Sequence, residues 1–320
     1  MLLACMTTSH MLFADGILSP NLDDEEYFSE TFTLFADLNN GAYIYGQIGV
    51  SNIGPGNERG VCRLLVSVPN KDPINHSIIV DKKEWFYSEG RVQLLQVKSC
   101  RLQTMKDKKR LEFYADLNQQ KIKIVLHDSP KKHKTPFNRL LTSSGYYQSD
   151  ILVPWAGAEV EYTIDGKDLK AKGYGYADHS RATLLPAKLA YQWVRFRGIN
   201  GENSKLLLAR QSTEDKPFEG WSWWQKNTRP EAFQELKLKN INKDNVVHWN
   251  IAIKNKRTHY QIKTNELLLR YAPMEEKGVF VKMVSFFVGN PVTYTYRAKL
   301  IAADGSELPG ILEVSKIDGK

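Results

Sequence analysis

Hydrophobic and polar residues alternate along most of this chain with a period of two, the pattern of half-buried β-strands. β-Branched and aromatic residues fill the alternating segments, and turn residues separate them. No long segment has a helical period, and a short helix is expected only around 230–236. The predicted strands cover 31–38, 42–51, 61–68, 91–97, 111–117, 121–126, 159–164, 191–197, 205–209, 246–253 and 292–301.

Three short stretches predict tight hairpin turns, because Asn, Asp and Gly tolerate positive φ. They are Asn39-Asn40-Gly41, Asp165-Gly166 and Asp304-Gly305. Many short strands joined by such turns predict an all-β sandwich or barrel.

The length of 320 residues exceeds what one compact core usually serves, so two domains are expected. The strand pattern breaks between Ser180 and Tyr191 and then starts again. We therefore predict a leader over 1–26, partly disordered or the remnant of a signal, then one β-domain over 27–188 and a second over 189–320.

Composition narrows the class of partner. Hydrophobic residues make up 42% and charged residues 25%, which argues against large-scale disorder. No apolar run approaches the roughly 20 residues that span a bilayer, so no transmembrane segment is expected, although contact with a membrane surface stays open. The net charge is +8, but its densest basic runs, 106–110 and 131–134, fall between predicted strands as turns. No nucleic-acid partner is predicted, and the oligomeric state is not indicated.

The cysteines and the N-terminal sequence do not decide in which cellular compartment the protein is located. Cys5, Cys62 and Cys100 are too few and too scattered for a disulfide framework or a zinc site, though Cys62 and Cys100 could pair under oxidising conditions. The first residues end in a faintly signal-like Leu-Phe-Ala without a positively charged start. The protein is cytoplasmic or, if this is a truncated signal, periplasmic or exported.

The stretch GYGYADHSR, residues 173–181, is the strongest candidate site. In a strand, Tyr174, Tyr176 and Asp178 face one side, and Gly173, Gly175, Ala177 and His179 face the other. Glycines inside a strand often allow close approach, here by a neighbouring backbone or by a flat ligand. A bulge would reverse the alternation and bring Asp178 and His179 together. The alternatives are acid–base chemistry by these two residues, or a capping Asp beside a His that packs at a domain junction.

The segment 154–198, PWAGAEVEYTIDGKDLKAKGYGYADHSRATLLPAKLAYQWVRFRG, resembles the central motif of the AttH / carotenoid 1,2-hydratase-like family. These double-lipocalin proteins include survival-factor-type members and fungal cyclases. The matching positions are Gly173, Gly175, Tyr176, Asp178, His179, Trp193 and Arg195. Ala177 and Ser180 stand where hydratases of the family have His and Asn.

This resemblance implies two lipocalin-like (calycin-type) antiparallel β-barrels packed together, with the motif near their interface. It implies an apolar ligand of isoprenoid or polyketide type. Family members that are enzymes add water to, isomerise or cyclise such ligands without a metal or redox cofactor. We therefore expect no cofactor.

Several tryptophans and histidines are further candidates for site residues. Trp221 and Trp223 share one strand face and either fill a barrel or line a cavity, and Trp193 with Arg195 is expected at a pocket or an interface. The remaining histidines have no partner at metal-ligand spacing, so no metal site is predicted. No G-x-S-x-G, H-E-x-x-H or P-loop sequence occurs, which argues against the common hydrolase, protease and nucleotide-dependent classes.

The leading hypothesis is binding or carriage of a hydrophobic small molecule near the domain junction, by Tyr174, Tyr176, Gly173, Gly175, Trp193, Arg195, Trp221 and Trp223. The first alternative is a metal-free hydro-lyase or isomerase acting on such a ligand, with Asp178 and His179 as its acid–base pair. A further alternative is a non-catalytic interaction or stress-protection protein with fully packed barrels.

Overall fold

Two antiparallel β-sheets follow each other along the chain. The computed structural model describes residues 16–53, 56–105, 108–201, 203–224, 228–243, 246–256, 258–272 and 290–318. Within them, the first sheet contains β1 (Ser29–Leu38), β2 (Tyr43–Ser51), β3 (Arg59–Ser67), β4 (Ile74–Val80), β5 (Trp85–Ser88), β6 (Val92–Val97), β7 (Cys100–Met105), β8 (Lys108–Leu117), β9 (Gln120–Leu126), β10 (Arg139–Thr142), β11 (Gly145–Ile164) and β12 (Lys167–Ala182).

The second sheet contains β13 (Gln192–Gly198), β14 (Lys205–Gln211), β15 (Glu219–Trp223), β16 (Glu231–Ala232), β17 (Glu235–Lys243), β18 (Val246–Lys254), β19 (His259–Tyr271), β20 (Asn290–Ala302) and β21 (Glu307–Asp318). The all-β prediction is confirmed. The helical structure in the described residues is a 3₁₀ turn, Lys82–Glu84, and one short helix, α1 (Pro186–Leu189), between the sheets.

Each sheet curls around its own apolar core. The first runs β4-β3-β2-β1-β12-β11-β9-β8-β7-β6-β5, with β10 beside β11, and forms a nearly closed barrel. The second runs β16-β15-β14-β13-β21-β20-β19-β18-β17 and forms a curled half-barrel. The pair matches two lipocalin-like barrels, as predicted. The break in pattern between Ser180 and Tyr191 falls where one sheet ends and the other begins, and the numerical domain boundaries stay a prediction.

The predicted helix around 230–236 is wrong. Ala232 pairs with Trp221, and Glu235 pairs with Lys254, so the segment contributes the edge strand β16 and the start of β17. Pairing with neighbouring strands decides the local structure of such a short segment more strongly than its own propensity does.

The three predicted hairpin turns are present. Gly41 has φ 83° between β1 and β2, and Gly305 has φ 82° between β20 and β21. Asp165 and Gly166 both have positive φ, 50° and 72°, between β11 and β12. Of the two basic runs predicted as turns, 131–134 lies in the connection between β9 and β10. In the other run, residues 106 and 107 lie outside the described residues, and residues 108–110 belong to β8, so the turn prediction is wrong for them.

A third apolar cluster lies between the two sheets. Phe35, Tyr43 and Trp155 of the first sheet pack there with Trp221 and Trp223 of the second. One polar connection between the sheets is made by Arg297 of β20, which donates from Nη1 to Oδ1 of Asp37 at 2.8 Å and from Nη2 to the carbonyl of Gly41. The sheet faces that turn toward each other therefore form a buried interface.

Cys62 and Cys100 form a disulfide, with their Cα atoms 6.4 Å apart. It links β3 to β7, which are far apart in the strand order of the first sheet. Both residues are fully buried in the barrel core. The third cysteine, Cys5, lies outside the described residues.

The described part of the predicted leader packs against the barrel. Leu18 is fully buried in the core of the first sheet. The backbone N–H of Asn21 donates to Oε2 of Glu30 at 2.6 Å, and the side-chain amide of Asn52 donates to the carbonyls of Asp23 and Glu25. From residue 16 onward this segment is therefore part of the folded first unit.

Candidate ligand site between the two sheets

The stretch GYGYADHSR lies in β12 with its alternation intact. β12 pairs with β1 without interruption from Leu38 and Gly173 to Ser29 and Ala182. The register shifts occur instead in β11, between Ile151 and Ala156. Because the extra residues belong to β11, Asp178 and His179 remain on opposite faces of β12. The structure does not bring these two predicted site residues together.

The glycine face of β12 is filled by protein. A Cβ on Gly175 would collide with the Leu126 side chain and would lie 2.7 Å from the carbonyl oxygen of Phe35. A Cβ on Gly173 would collide with the Asp37 carbonyl and lie 2.7 Å from the Cα of Leu38. Of the two partners considered for these glycines, the structure shows the neighbouring backbone.

His179 lies inside the first barrel. Its Nε2 is 2.6 Å from Oε1 of Glu30, and its ring stacks on Phe32 with 4.3 Å between the ring centres. His179 and Glu30 are 2% and 1% exposed, so the pair is shielded from solvent. It lies beneath the leader, at the end of the barrel where the Asn21 N–H also bonds to Glu30.

Tyr176 and Asp178 face the interface instead. The Tyr176 ring stacks on Phe35 at 5.6 Å, and the guanidinium carbon of Arg197 lies 4.9 Å from the Tyr176 ring centre. Oδ2 of Asp178 is 3.7 Å from Nη2 of Arg197. Tyr174, farther along the same face, is half-buried and lies near Gly201.

Arg197 is the centre of the buried charges in this interface. Its Nη1 donates to Oε2 of Glu313 at 2.6 Å, and its side chain is 4% exposed. Arg197 comes from β13, Glu313 from the neighbouring β21 and Asp178 from the opposing sheet. The three charged side chains therefore join the two sheets through one guanidinium.

Burial and pairing together set the protonation of this cluster. Burial alone would raise the pKa of Glu313, but Arg197 and Arg195 outweigh it and hold that pKa below its ordinary value. Burial alone would lower the pKa of Arg197, but the nearby Glu313 carboxylate outweighs burial, and the pKa of Arg197 is raised above its ordinary value. Burial raises the pKa of Tyr176 well above its ordinary value, with a further contribution from Asp178. The arginines are therefore cations, Glu313 an anion and Tyr176 a neutral hydroxyl at neutral pH.

Strand alternation explains which side chains of β13 reach the interface. Val194 and Phe196 enter the core of the second sheet, and Trp193, Arg195 and Arg197 point the other way. The Arg195 guanidinium lies 5.6 Å from the Trp193 ring centre. Trp221 and Trp223 likewise lie in the interface cluster, whereas Trp224 packs on Tyr260 in the second sheet.

A small cavity, which we call the tryptophan cavity, opens beside these residues. Its volume is about 70 Å³, and its apolar walls include Trp193, Leu208 and Trp221. Tyr147 also lines it, and the Tyr147 hydroxyl is buried with no hydrogen-bond partner among the described residues. The other lining residues are Thr135, Phe137, Asn138, Arg139, Leu140, Ser149, Arg210, Glu219 and Gly220. A concave space with apolar walls and a few polar groups is the usual form of a small-molecule site.

The sequence pointed to part of this site. Trp193 and Trp221 line the tryptophan cavity, while Trp223 packs against Trp155 with 4.6 Å between ring centres. Tyr147 and Glu313 were missed as site residues. The signal that could have found Glu313 is a carboxylate flanked on both sides by apolar residues, Leu312 and Val314, in the strand GILEVSKI.

No helix in the described part of the chain has the length and apolar character needed to cross a membrane. Comparison with models of protein families finds no match, and comparison with curated proteins finds none. Solved structures do match. An AttH-type protein from Nitrosomonas europaea has a TM-score of 0.63 and 10% identity, over 92% of this chain and 94% of that one.

Two further solved structures have the same fold. CghA, in a structure with Sch210972, matches with a TM-score of 0.63 and 10% identity over 92% of this chain and 90% of its own. Kievitone hydratase from Nectria haematococca matches with a TM-score of 0.59 and 10% identity over 93% of this chain and 90% of its own. The structural neighbours are thus AttH-like lipocalin-fold proteins, as the central motif predicts. At this level of identity the likeness establishes the fold, and function must be argued from the site.

Proposed function

We propose that this protein binds a hydrophobic small molecule at the junction of its two sheets. The observation that carries the proposal is the tryptophan cavity, where Trp193 and Trp221 form an apolar wall and the buried Tyr147 hydroxyl has no partner among the described residues. An apolar ring would bury its surface against the indoles, and an oxygen on the ligand would pair with Tyr147.

The dimensions of the cavity indicate how such a ligand lies. A volume of about 70 Å³ holds only one end of a ligand, since sites that enclose a whole drug-sized molecule measure roughly 300–1,000 Å³. Phe137, which lines the cavity, is 58% exposed. The remainder of the ligand therefore lies outward across Phe137.

The test is mass spectrometry of organic-solvent extracts from the protein isolated from its own organism. Wild type is compared with Trp221→Ala and with Trp224→Ala, which removes an equal side chain that faces away from the cavity. An apolar compound retained by wild type and Trp224→Ala, but lost from Trp221→Ala, supports the proposal. Equal retention by all three, or no such compound in any, contradicts it.

A cofactor-independent lyase or isomerase acting on the same class of ligand is the second candidate. The observation that favours it is the buried group formed by Asp178, Tyr176, Arg197 and Glu313. Kievitone hydratase, which shares the fold, is an enzyme by its name. Because His179 faces the barrel interior, this candidate assigns proton donation to Asp178 alone.

Asp178→Asn separates the two candidates once the extracted compound is in hand. Removal of a general acid lowers turnover by about 10²–10⁴-fold and leaves the ligand bound. Asp168→Asn, an exposed substitution of the same kind on the same strand, is the control. Unchanged turnover in Asp178→Asn excludes the acid role, and a carrier shows no turnover in any variant.

A further inference from the structure

A second cavity, which we call the arginine cavity, lies in another part of the same interface. It measures about 100 Å³ and is lined by Tyr43 and Arg63 from the first sheet and by Arg195 and Glu313 from the second. Trp193 and Arg195, two positions apart on β13, thus serve different cavities. Nothing in the proposed function uses this second space.

Two buried hydrogen-bond donors of residues that line the arginine cavity have no partner in the described part of the chain. Tyr43 is fully buried, and its hydroxyl makes no hydrogen bond to any described residue. Nε of Arg195 is buried and is likewise unpartnered within the described residues. Buried polar groups in folded proteins are nearly always bonded to protein, water or a ligand, so two orphaned donors at one cavity indicate an acceptor that occupies it.

The charges that line the cavity are unequal in number. Arg63 and Arg195 contribute two guanidinium groups, and the single carboxylate, Glu313, already accepts a hydrogen bond from Arg197. Both Arg63 and Arg195 lower the pKa of Glu313, which shows that their fields reach it. A neutral ligand or water would leave this positive excess in a site of low dielectric, whereas an anion would neutralise it.

Arg63 is already oriented for such an anion. Its guanidinium carbon lies 3.6 Å from the centre of the Tyr271 ring, and its Nε donates to Oδ1 of Asn75 at 2.9 Å. A guanidinium fixed by stacking and by one hydrogen bond loses little further freedom when it binds a carboxylate. Leu65 and the Tyr271 ring add apolar wall beside the charges.

We propose that the arginine cavity binds the carboxylate of a small organic acid, with Tyr43 and Arg195 as donors and Arg63 as counter-ion. Leu65, Leu269 and the Tyr271 ring form an apolar part of an otherwise polar lining, and this part favours an organic acid over inorganic phosphate. At about 100 Å³ the cavity is smaller than the ~150 Å³ cavity that admits benzene, so it holds a short aliphatic acid, or the carboxylate end of a small aromatic acid whose ring extends beyond it. This inference does not depend on the ligand proposed for the tryptophan cavity.

The test is isothermal titration calorimetry of the full chain with benzoate, acetate, neutral benzamide and inorganic phosphate. We expect saturable binding of benzoate. The affinity for benzamide should be at least tenfold lower, because hydrogen bonds to a charged group are worth about 1.5–3 kcal/mol. A difference of about 1.4 kcal/mol corresponds to a tenfold change in affinity. Tyr43→Phe should weaken benzoate binding about tenfold for the same reason. The melting temperature of Tyr43→Phe should not fall, since the lost hydroxyl makes no hydrogen bond to any residue that the structure describes.

The controls separate this site from general charge effects and from the proposed function. Arg195→Gln should abolish benzoate binding, and Arg101→Gln, which removes an equal charge from the exposed face of β7, should not change it. Trp221→Ala should also bind benzoate as wild type does. The inference is overturned if neither carboxylate binds, if Tyr43→Phe binds as wild type, if Trp221→Ala abolishes binding, or if phosphate binds more tightly than benzoate.

Discussion

Arg197 is the residue on which the charges between the two sheets converge. It is hydrogen-bonded to Glu313, lies 3.7 Å from Asp178, and packs over the rings of Phe35 and Tyr176. A guanidinium buried in this way is stable only while its carboxylates remain, because an unpaired charge in the interior is costly. The cluster therefore stabilises the interface as well as shaping its electrostatics.

Loss of the principal partner of Arg197 should destabilise the fold. Glu313→Gln is expected to lower the free energy of unfolding by about 3 kcal/mol, because it leaves a buried guanidinium with only the more distant Asp178. Glu307→Gln, on the same strand as Glu313, breaks an exposed pair with Lys299 of β20 and should cost less than about 1 kcal/mol. Urea denaturation measures the free energy of unfolding of both variants. Equal losses of stability would show that burial of the Arg197–Glu313 pair does not matter.

Alkaline pH should destabilise the protein through its buried tyrosines. Burial raises the pKa of Tyr43 and of Tyr176 well above 10.0 in the folded protein. As pH rises above 10, the unfolded chain releases these protons while the folded chain retains them, so stability is lost with increasing pH. Melting temperatures across this range should fall less steeply for Tyr43→Phe than for wild type, and an unchanged slope would contradict the assignment.

At the scale of elements, β12 separates two environments. Its glycine face packs inside the first barrel, and its tyrosine face forms part of the interface. The two-residue period predicted these faces correctly. The same period could not reveal that the bulges lie in β11, because register depends on which strands pair.

Sequence alternation could not identify the groups that converge across the interface. It placed Trp193 and Arg195 on one face of a strand, but Glu313 lies opposite Arg195 only through the pairing of β13 with β21, and Tyr43 reaches Arg195 only through the packing of the two sheets. Tyr147 was missed for a similar reason, since its partner Trp193 belongs to the other sheet. Contacts between residues distant in sequence carry no local periodic signal.

Two glycine substitutions test how closely β12 packs against its neighbours. Gly175→Ala should cost about 1–3 kcal/mol, because its Cβ meets Leu126 and the Phe35 backbone. Gly157→Ala, on the adjacent β11, meets nothing within 4 Å and should leave stability unchanged or slightly higher. Thermal denaturation of the two variants is the measurement, and equal stability would argue against close packing at Gly175.

At the scale of the whole molecule, the interface holds two curled sheets together, and the disulfide cross-links the first of them. The Cys62–Cys100 bond closes part of the first barrel, across a sequence separation of 38. Two sheets with a buried interface of apolar and charged side chains resemble two domains that form one unit, and ligand sites often occur at such junctions.

Reduction of the disulfide should lower stability by about 3 kcal/mol, since it frees a long loop in the unfolded chain. Denaturation of wild type with and without a phosphine reductant measures this difference. The double variant Cys62→Ala/Cys100→Ala should be insensitive to the reductant, and Cys5→Ser should respond as wild type does. Equal stability of wild type with and without the reductant would contradict the presence of the Cys62–Cys100 bond.

The measurement that tests the central claim most directly is a fluorescence titration with N-phenyl-1-naphthylamine, a neutral apolar probe. Wild type should bind about one probe molecule per chain, and Trp224→Ala should bind it equally well. Trp221→Ala should bind the probe about tenfold more weakly, because truncation of an aromatic side chain in the cavity wall removes apolar contact with the probe. Failure of wild type to bind the probe, or equal binding by all three proteins, would contradict a hydrophobic ligand site at the tryptophan cavity.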